Sequence, residues 1–273
     1  MWQFHSIPRP LQLNGLYTAF SRQFEADYVF RGETHDFYEL VLVTDGTLGI
    51  TAGSATFSLR APAAVLHPPM EFHSLRSEQD TMPRIVIFSF SATAFPLPEN
   101  RIFALDDEDL ARAARILQLL EENTTSEPPH AGEPLPGKEK EAQSALLELE
   151  LLLLRLLAGS STDPQQQNTA GGRNFRRVLQ VIEENLDRSL NTEELARLAH
   201  MSPSLLKKTF ARHAGVGVME YFRTRKIYAA IPLLREELSV QEVATRLGFS
   251  NPGYFSTVFR RTTGHTPGYY RNH

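Results

Sequence analysis

The spacing of apolar residues changes character twice along this 273-residue chain. Up to about residue 103 the apolar positions fall in short runs rich in Val, Ile, Phe and Tyr, cut by turn residues: FYELVLVTDGTLGITAGSATFSLR, then AAVLHP, then RIVIFSF. Such runs predict β-strands. Asp45-Gly46 and Gly53-Ser54 mark hairpins or turns between them. No helical period intervenes, so the strands predict a sandwich or a small barrel, the latter removing exposed strand edges by closure. Four aromatics in this stretch, Trp2, Phe37, Tyr38 and Phe72, read as core or pocket wall.

From residue 107 the period lengthens. Leu110, Ala114, Leu117 and Leu120 line one side of a helix predicted over 107–122. The Ser, Thr, Pro and Gly of 123–137 predict a loop. A second helix over 138–158 holds nine leucines, from Leu146 to Leu157, interrupted by Glu148, Glu150 and Arg155. That is more apolar surface than one groove on a small barrel covers, so part of it is expected at a subunit interface, with packing wholly inside one chain as the alternative. The polar sequence GSSTDPQQQNTAGGR over 159–173 predicts a flexible linker and a domain boundary.

The last hundred residues are helical in pattern. Val178, Leu179 and Ile182 form a first stripe, and Asn191 or Thr192 caps the next helix beside Glu193 and Glu194. Near the end, VQEVATRLGFSNPGYFSTVFRRTTGHTPGYY reads as two short helices around a tight turn. Gly248 supplies the turn, Asn251 caps the second helix, Pro252 suits its first turn and Gly264 stops it. Phe255, Val258 and Phe259 face inward, leaving Ser256, Thr257, Arg260 and Arg261 outside the stripe. The plan occurs twice: in ELARLAHMSPSLLKKTFARHAG, Ala196, Met201, Pro203, Leu206, Phe210 and Gly215 answer Ala244, Phe249, Pro252, Phe255, Phe259 and Gly264. A helix, a turn and a second helix with a polar, basic outer face is the arrangement that enters a DNA major groove.

With VATRLGFSNPGYFSTVFRRTTGHTPGYYR at the end and LARLAHMSPSLLKKTFARHAG before it, the chain resembles the AraC/XylS family of transcription regulators. The resemblance implies seven helices and two recognition helices that read successive major-groove segments. Matching positions make Ser204, Lys207, Lys208 and Arg212, then Gly253, Ser256, Thr257 and Arg260, the expected DNA-binding residues. The first recognition helix has Leu205, Leu206, Thr209 and Phe210 as its predicted inner face, and its lysines suit guanine O6 and N7, or phosphate alone. Two departures stand out: His200 occupies the turn position of Gly248, and Pro232 is expected to kink the helix that joins the two motifs.

Charge supports a division of labour. The net −4 splits into about +7 from Arg173 onward and about −11 before it, a basic end suited to phosphate and an acidic body. There is no cysteine, so no disulfide framework and no thiolate chemistry. No apolar run reaches bilayer length and no signal segment is visible, so a cytoplasmic protein without membrane partners is expected.

Glu33, His35, Glu39 and His73, with Gly46 and Pro68, are spaced in a way that resembles the cupin pattern, although Glu33 stands for a usual histidine and Met70 for a glycine. Two histidines and a carboxylate can hold a divalent metal. Sensor domains of this resemblance mostly use the barrel for an organic ligand, so the four residues are expected to serve ligand binding, with no metal, no cofactor and no catalytic residue. The expected fold is thus α+β: a cupin-like β-barrel with a helical dimerisation segment (1–158), the linker (159–173) and an all-α domain with two helix-turn-helix motifs (174–273). The expected function is ligand-responsive transcription regulation by a homodimer acting on double-stranded DNA and RNA polymerase. The alternatives are a ligand-independent regulator and a metal-dependent cupin enzyme fused to a DNA-binding tail.

Overall fold

The structure is a computed structural model that describes every residue except 1, 54, 160–164, 167–169, 215, 237 and 273, and omits the side chains of 31, 165, 166, 170–172, 212 and 272. Nine strands precede the first helix: β1 (Gln12–Gln23), β2 (Val29–Glu33), β3 (Tyr38–Asp45), β4 (Thr47–Ala52), β5 (Ala55–Arg60), β6 (Ala63–His67), β7 (His73–Ser77), β8 (Arg84–Ala94) and β9 (Ile102–Ala104). They form two antiparallel sheets. One runs β1-β8-β3-β6-β9; the other runs β5-β4-β7-β2, with β10 (Gln165–Gln166) paired outside β5. Hydrogen bonding does not close the sheets into the expected barrel, and the result is a cupin-like jelly roll of two facing sheets.

Strand β3 shows why these residues make this sandwich. Leu40 and Leu42 point to the helices outside the sheet, while Val41 and Val43 point to the opposite sheet. All four are fully buried, so the strand reads as an unbroken apolar run rather than an alternation. Each such side chain contributes roughly 1.5–3 kcal/mol by leaving water.

Helices α1 (Asp107–Asn123) and α2 (Glu139–Ala158) cover the outer face of the first sheet. Asp106 and Asp109 form a capping box that starts α1. From α2, Leu149, Leu152, Leu153 and Leu156 are buried, and Leu147, Leu151 and Leu154 are exposed. The charges that break the leucine run all have partners. Glu148 pairs with Arg112. Glu150 accepts from the Leu13 amide at 2.9 Å and from Arg9 at 3.1 Å. Arg155 donates to Asp106, Glu108 and Asp109.

Seven helices follow: α3 (Ala170–Glu183), α4 (Thr192–Leu198), α5 (Pro203–Ala214), α6 (Val218–Arg235), α7 (Val240–Arg246), α8 (Pro252–Thr263) and α9 (Pro267–Asn272). Helix α3 begins inside the stretch read as linker, and Gln165–Gln166 pair with β5; most of the remaining linker lies outside the described residues. Helix α6 joins two cores. Its Val218, Tyr221 and Phe222 belong to the core of α3–α5, and its Ile227, Ala230, Ile231 and Leu234 to that of α7–α9. Pro232 lies within α6.

Lys226, buried midway along α6, donates to the carbonyls of Arg188 at 2.6 Å and Leu247 at 2.8 Å. Its ammonium lies 4.7 Å from the Phe222 ring centre and 5.4 Å from that of Phe249. Gly248 has φ 66°, and a Cβ there would meet the Asp187 carbonyl oxygen at 2.6 Å. Its counterpart His200 also adopts positive φ, 55°, but on the exposed surface.

Candidate functional site

The four predicted ligand residues come together. Glu39 lies on β3 of one sheet, while Glu33 and His73 are register partners on β2 and β7 of the other. His35 sits in the turn after β2. One ligand-type atom from each of Glu33, His35, Glu39 and His73 lies within 4.8 Å of the others. Glu39 is 3.3 Å from His73 Nε2 and 3.8 Å from His35 Nε2; Glu33 is 3.8 Å from His73 Nε2. His35 and His73 use Nδ1 on the carbonyls of Phe37 and Glu71, at 3.0 and 3.1 Å.

Burial raises the Glu39 carboxyl, but the imidazoles of His35 and His73 beside it outweigh that and hold it well below the usual carboxylate range. Burial likewise pulls His73 down, and Glu33 and Glu39 more than reverse that, to about 10. His67 stacks on His73 with ring centres 4.4 Å apart. It is pushed down by burial and by the charge of His73, and its Nδ1 meets Glu71 at 3.0 Å. Sequence reading missed His67 and Glu71; their i, i+4 spacing straddles a strand end and carries no pattern of its own.

Glu33 and Glu39 line one end of a cavity of about 310 Å³ between the sheets. Its walls are Phe20, Phe24, Tyr28, Phe30, Phe37, Leu75 and Ile87, with Thr18, Arg22 and Ser89 as further polar contacts. Ser89 donates to Glu39 at 3.1 Å and shares a 2.6 Å hydrogen bond with Thr18. An aromatic chamber with a few convergent polar groups is the usual form of a small-molecule site. Phe37 is thus a pocket wall, and Tyr38 packs on Phe90 and Phe95. Trp2 is fully exposed instead, and Phe72 packs not in the sandwich but in the core of α3–α6.

That displacement of Phe72 exposes a seam between the two halves. The Phe72 ring meets Tyr221 edge-on at 4.7 Å. Ser74 and Thr51 donate to the His213 carbonyl at 3.1 and 3.4 Å. Tyr228 donates to the Thr34 carbonyl; burial is the main cause of its phenol rising to about 12. Arg225 donates to the Met70 carbonyl at 2.7 Å, and the Met70 amide donates to the His35 carbonyl at 2.7 Å. Met70 has φ 68°, a left-handed conformation that costs a non-glycine residue energy.

The second candidate site is the pair of recognition helices. On α5, Ser204, Lys207 and Lys208 are exposed, and Arg212 lies on the same helix with its side chain outside the described residues. Leu205 departs from the reading: it is 41% exposed rather than on the inner face. On α8, Gly253, Thr257 and Arg260 are exposed and Ser256 is half-buried. Asn251 caps α8 through the amides of Gly253 and Tyr254, and Gly264 ends it in the left-handed region. The Ser256 and Thr257 hydroxyls donate back to the carbonyls of Pro252 and Gly253, leaving their lone pairs outward. Tyr254, 50% exposed, adds an aromatic to this surface that the sequence reading left out. Gly215, read as the stop of α5, lies outside the described residues.

Residues 17–122 match the family described as AraC-like ligand binding domain, and residues 195–273 match the Helix-turn-helix domain family. The chain belongs to the AraC/XylS family. Among its curated AraC/XylS-type relatives, XylDLEGF operon transcriptional activator 2 of Pseudomonas putida is 41% identical over 97 residues, 34% of this chain and 62% of that one. The HTH-type transcriptional regulator GlxA of Rhizobium meliloti is 38% identical over 92 residues, 33% and 28% of the two chains. The Escherichia coli regulator YpdC is 33% identical over 130 residues, 47% and 46%. The chain therefore spans less than two thirds of each of these relatives. The structure of ToxT from Vibrio cholerae aligns over 93% of this AraC/XylS-family chain and 96% of its own, at 15% identity and a TM-score of 0.39. No helix among the described residues is long and apolar enough to cross a membrane.

Proposed function

We propose that this AraC/XylS-family chain is a cytoplasmic, sequence-specific DNA-binding transcription regulator, not an enzyme, whose sheet domain senses a small molecule. The observation that carries the reading is the pair of recognition helices, both with exposed polar or basic outer faces and both anchored to α6. Ser204, Lys207, Lys208 and Arg212 on α5, with Gly253, Ser256, Thr257 and Arg260 on α8, are the DNA-contacting set. Long donors on α5 make it the main reader of base edges; the short residues of α8 leave Arg260 to contact phosphate or guanine. The effector occupies the aromatic chamber, with Glu33, His35, Glu39 and His73 at its polar end. Its signal leaves through the seam, because His35, Met70 and Arg225 are joined by consecutive hydrogen bonds. A ligand that favours one arrangement of the chamber over another shifts DNA occupancy by its differential affinity. The exposed Leu147, Leu151 and Leu154 of α2 suit a homodimer interface, and RNA polymerase is the downstream partner.

The test is titration of the full-length protein against DNA flanking its own gene and against a shuffled control, at two salt concentrations. Preference for the flanking DNA that survives higher salt is expected. Substituting Lys207 or Lys208 by alanine is expected to cost about 1–3 kcal/mol and to relax discrimination at one base position. Equal binding to both DNAs that collapses with salt would reduce the protein to a phosphate binder.

A further inference from the structure

We propose that His35, Glu39 and His73, with Glu33 at the rim, form a site for one divalent first-row transition-metal ion. Phe37 O and Glu71 O are carbonyl oxygens and only accept, so the Nδ1 atoms of His35 and His73 that contact them carry hydrogen. That leaves Nε2 of each ring as the atom that faces the cluster, able to hold a proton or to bind a metal ion in its place. These Nε2 atoms face the carboxylates of Glu39 and Glu33 at 3.3–3.8 Å, and neither has a hydrogen-bond partner of acceptable geometry. Nitrogens and carboxylates facing one another in this way are held together by positive charge between them, which either a proton on Nε2 or a metal ion in its place supplies.

The His73 side chain is fully buried and that of His35 only 10% exposed, so an ion held between them is bonded mainly by protein atoms. The backbone hydrogen bond at Nδ1 is also the arrangement that orients metal-bound histidines and fixes their tautomer. Bonds of about 2.1 Å place neighbouring ligand atoms roughly 3.0–3.4 Å apart and opposite ones about 4.2 Å apart. The set of four spans 4.8 Å, so it closes around an ion with a movement of a fraction of an ångström. Two imidazoles with two carboxylates match the charge of a dication and favour an ion such as Zn²⁺, Fe²⁺ or Co²⁺ over the oxygen-seeking Ca²⁺ and Mg²⁺.

Glu33 and Glu39 also line the aromatic chamber, so the ion has its open coordination positions on the chamber side. Two bare carboxylates at that end would repel an anionic effector, whereas the ion binds a carboxylate or hydroxyl oxygen. This last step rests on the chamber being the effector site; the metal site itself does not.

The experiment uses full-length protein without a histidine tag, stripped with chelator and dialysed against Co²⁺ or Zn²⁺, with no DNA and no effector present. One ion per chain by elemental analysis is expected, and the Co²⁺ form is expected to show visible d–d bands of a nitrogen–oxygen site. Affinity is expected to fall at least about tenfold in His73→Gln and in Glu39→Gln, and to be unchanged in His130→Gln, which alters an exposed histidine outside the cluster. Absence of stoichiometric metal in the wild-type protein overturns the proposal, whatever the variants do. So does one equivalent retained at undiminished affinity by the folded double variant His35→Gln/His73→Gln. A metal-free protein that still prefers its own flanking DNA would separate failure here from failure of the regulator reading.

Discussion

Lys226 shows how a single polar side chain can tie two helix-turn-helix units together. Its ammonium ties the segment before α4 to the end of α7 by donating to one carbonyl of each. Burial lowers its pKa to about 8 from 10.5. Between those two values the unfolded chain holds more protons than the folded one, so this group makes stability rise with pH across that window. Below about pH 8 it is protonated in both states and its contribution is constant. A neutral amine keeps two hydrogens, enough for both carbonyls. Lys226→Met is therefore expected to lose about 1–3 kcal/mol in urea unfolding at neutral pH, the cost of stranded acceptors. Because Met carries no titrating group, the deficit relative to wild type is expected to widen between pH 8 and pH 10. A deficit independent of pH would mean that the lysine acts by packing alone.

At the scale of elements, the sequence pattern carried far where period and caps agree. Helix α1 starts at Asp107 and α2 ends at Ala158, as read, because the capping box and Gly159 are local signals. Asn251, Gly248 and Gly264 behave as their chemistry dictates. Leu205 was misplaced because a leucine at helical spacing from Leu206 and Phe210 looks internal, yet the inner arc of this short helix is already filled by Leu206, Thr209 and Phe210. The α2 stripe is the complementary case. Leu147, Leu151 and Leu154 keep helical spacing and remain 47%, 46% and 41% exposed after the sheet is covered. Leu151→Glu is expected to leave the helical signal intact and to shift the protein from dimer to monomer in sedimentation at micromolar concentration. Wild-type protein that sediments as a monomer at every concentration would remove the dimer from the picture.

At the scale of the molecule, the least legible features were the contacts that join the two halves. The cluster of Glu33, His35, Glu39 and His73 could be picked out by its spacing, although it is spread over one turn and three strands. The seam could not: Thr34 and Tyr228, Met70 and Arg225, Ser74 and His213 lie more than a hundred residues apart, and each taken alone is an ordinary residue. Phe72 reads as core or pocket wall from the sequence and is core, but nothing in the sequence says that the core it joins is that of α3–α6. In Phe72→Ala the loss of a buried aromatic is expected to cost about 3–5 kcal/mol. Hydrogen exchange is expected to localise that loss in α3 and α6, leaving β3 and β8 protected. Equal loss of protection across the sheets would show that the ring serves the sandwich.

The place of that ring bears on where this protein can be divided. The polar stretch before α3 invites a cut, and the fragment after it looks like a finished helical unit. Yet α3, α5 and α6 close their interior around a side chain that arrives from a loop of the other half. A severed helical fragment would begin life with a socket in its middle, and a severed sandwich would hold a phenyl ring out into water. The helical half completes its interior with a side chain from the half that holds the chamber. Removing it loosens the helical half as well as the join, so the link between the halves and the folding of one of them share one small piece of carbon.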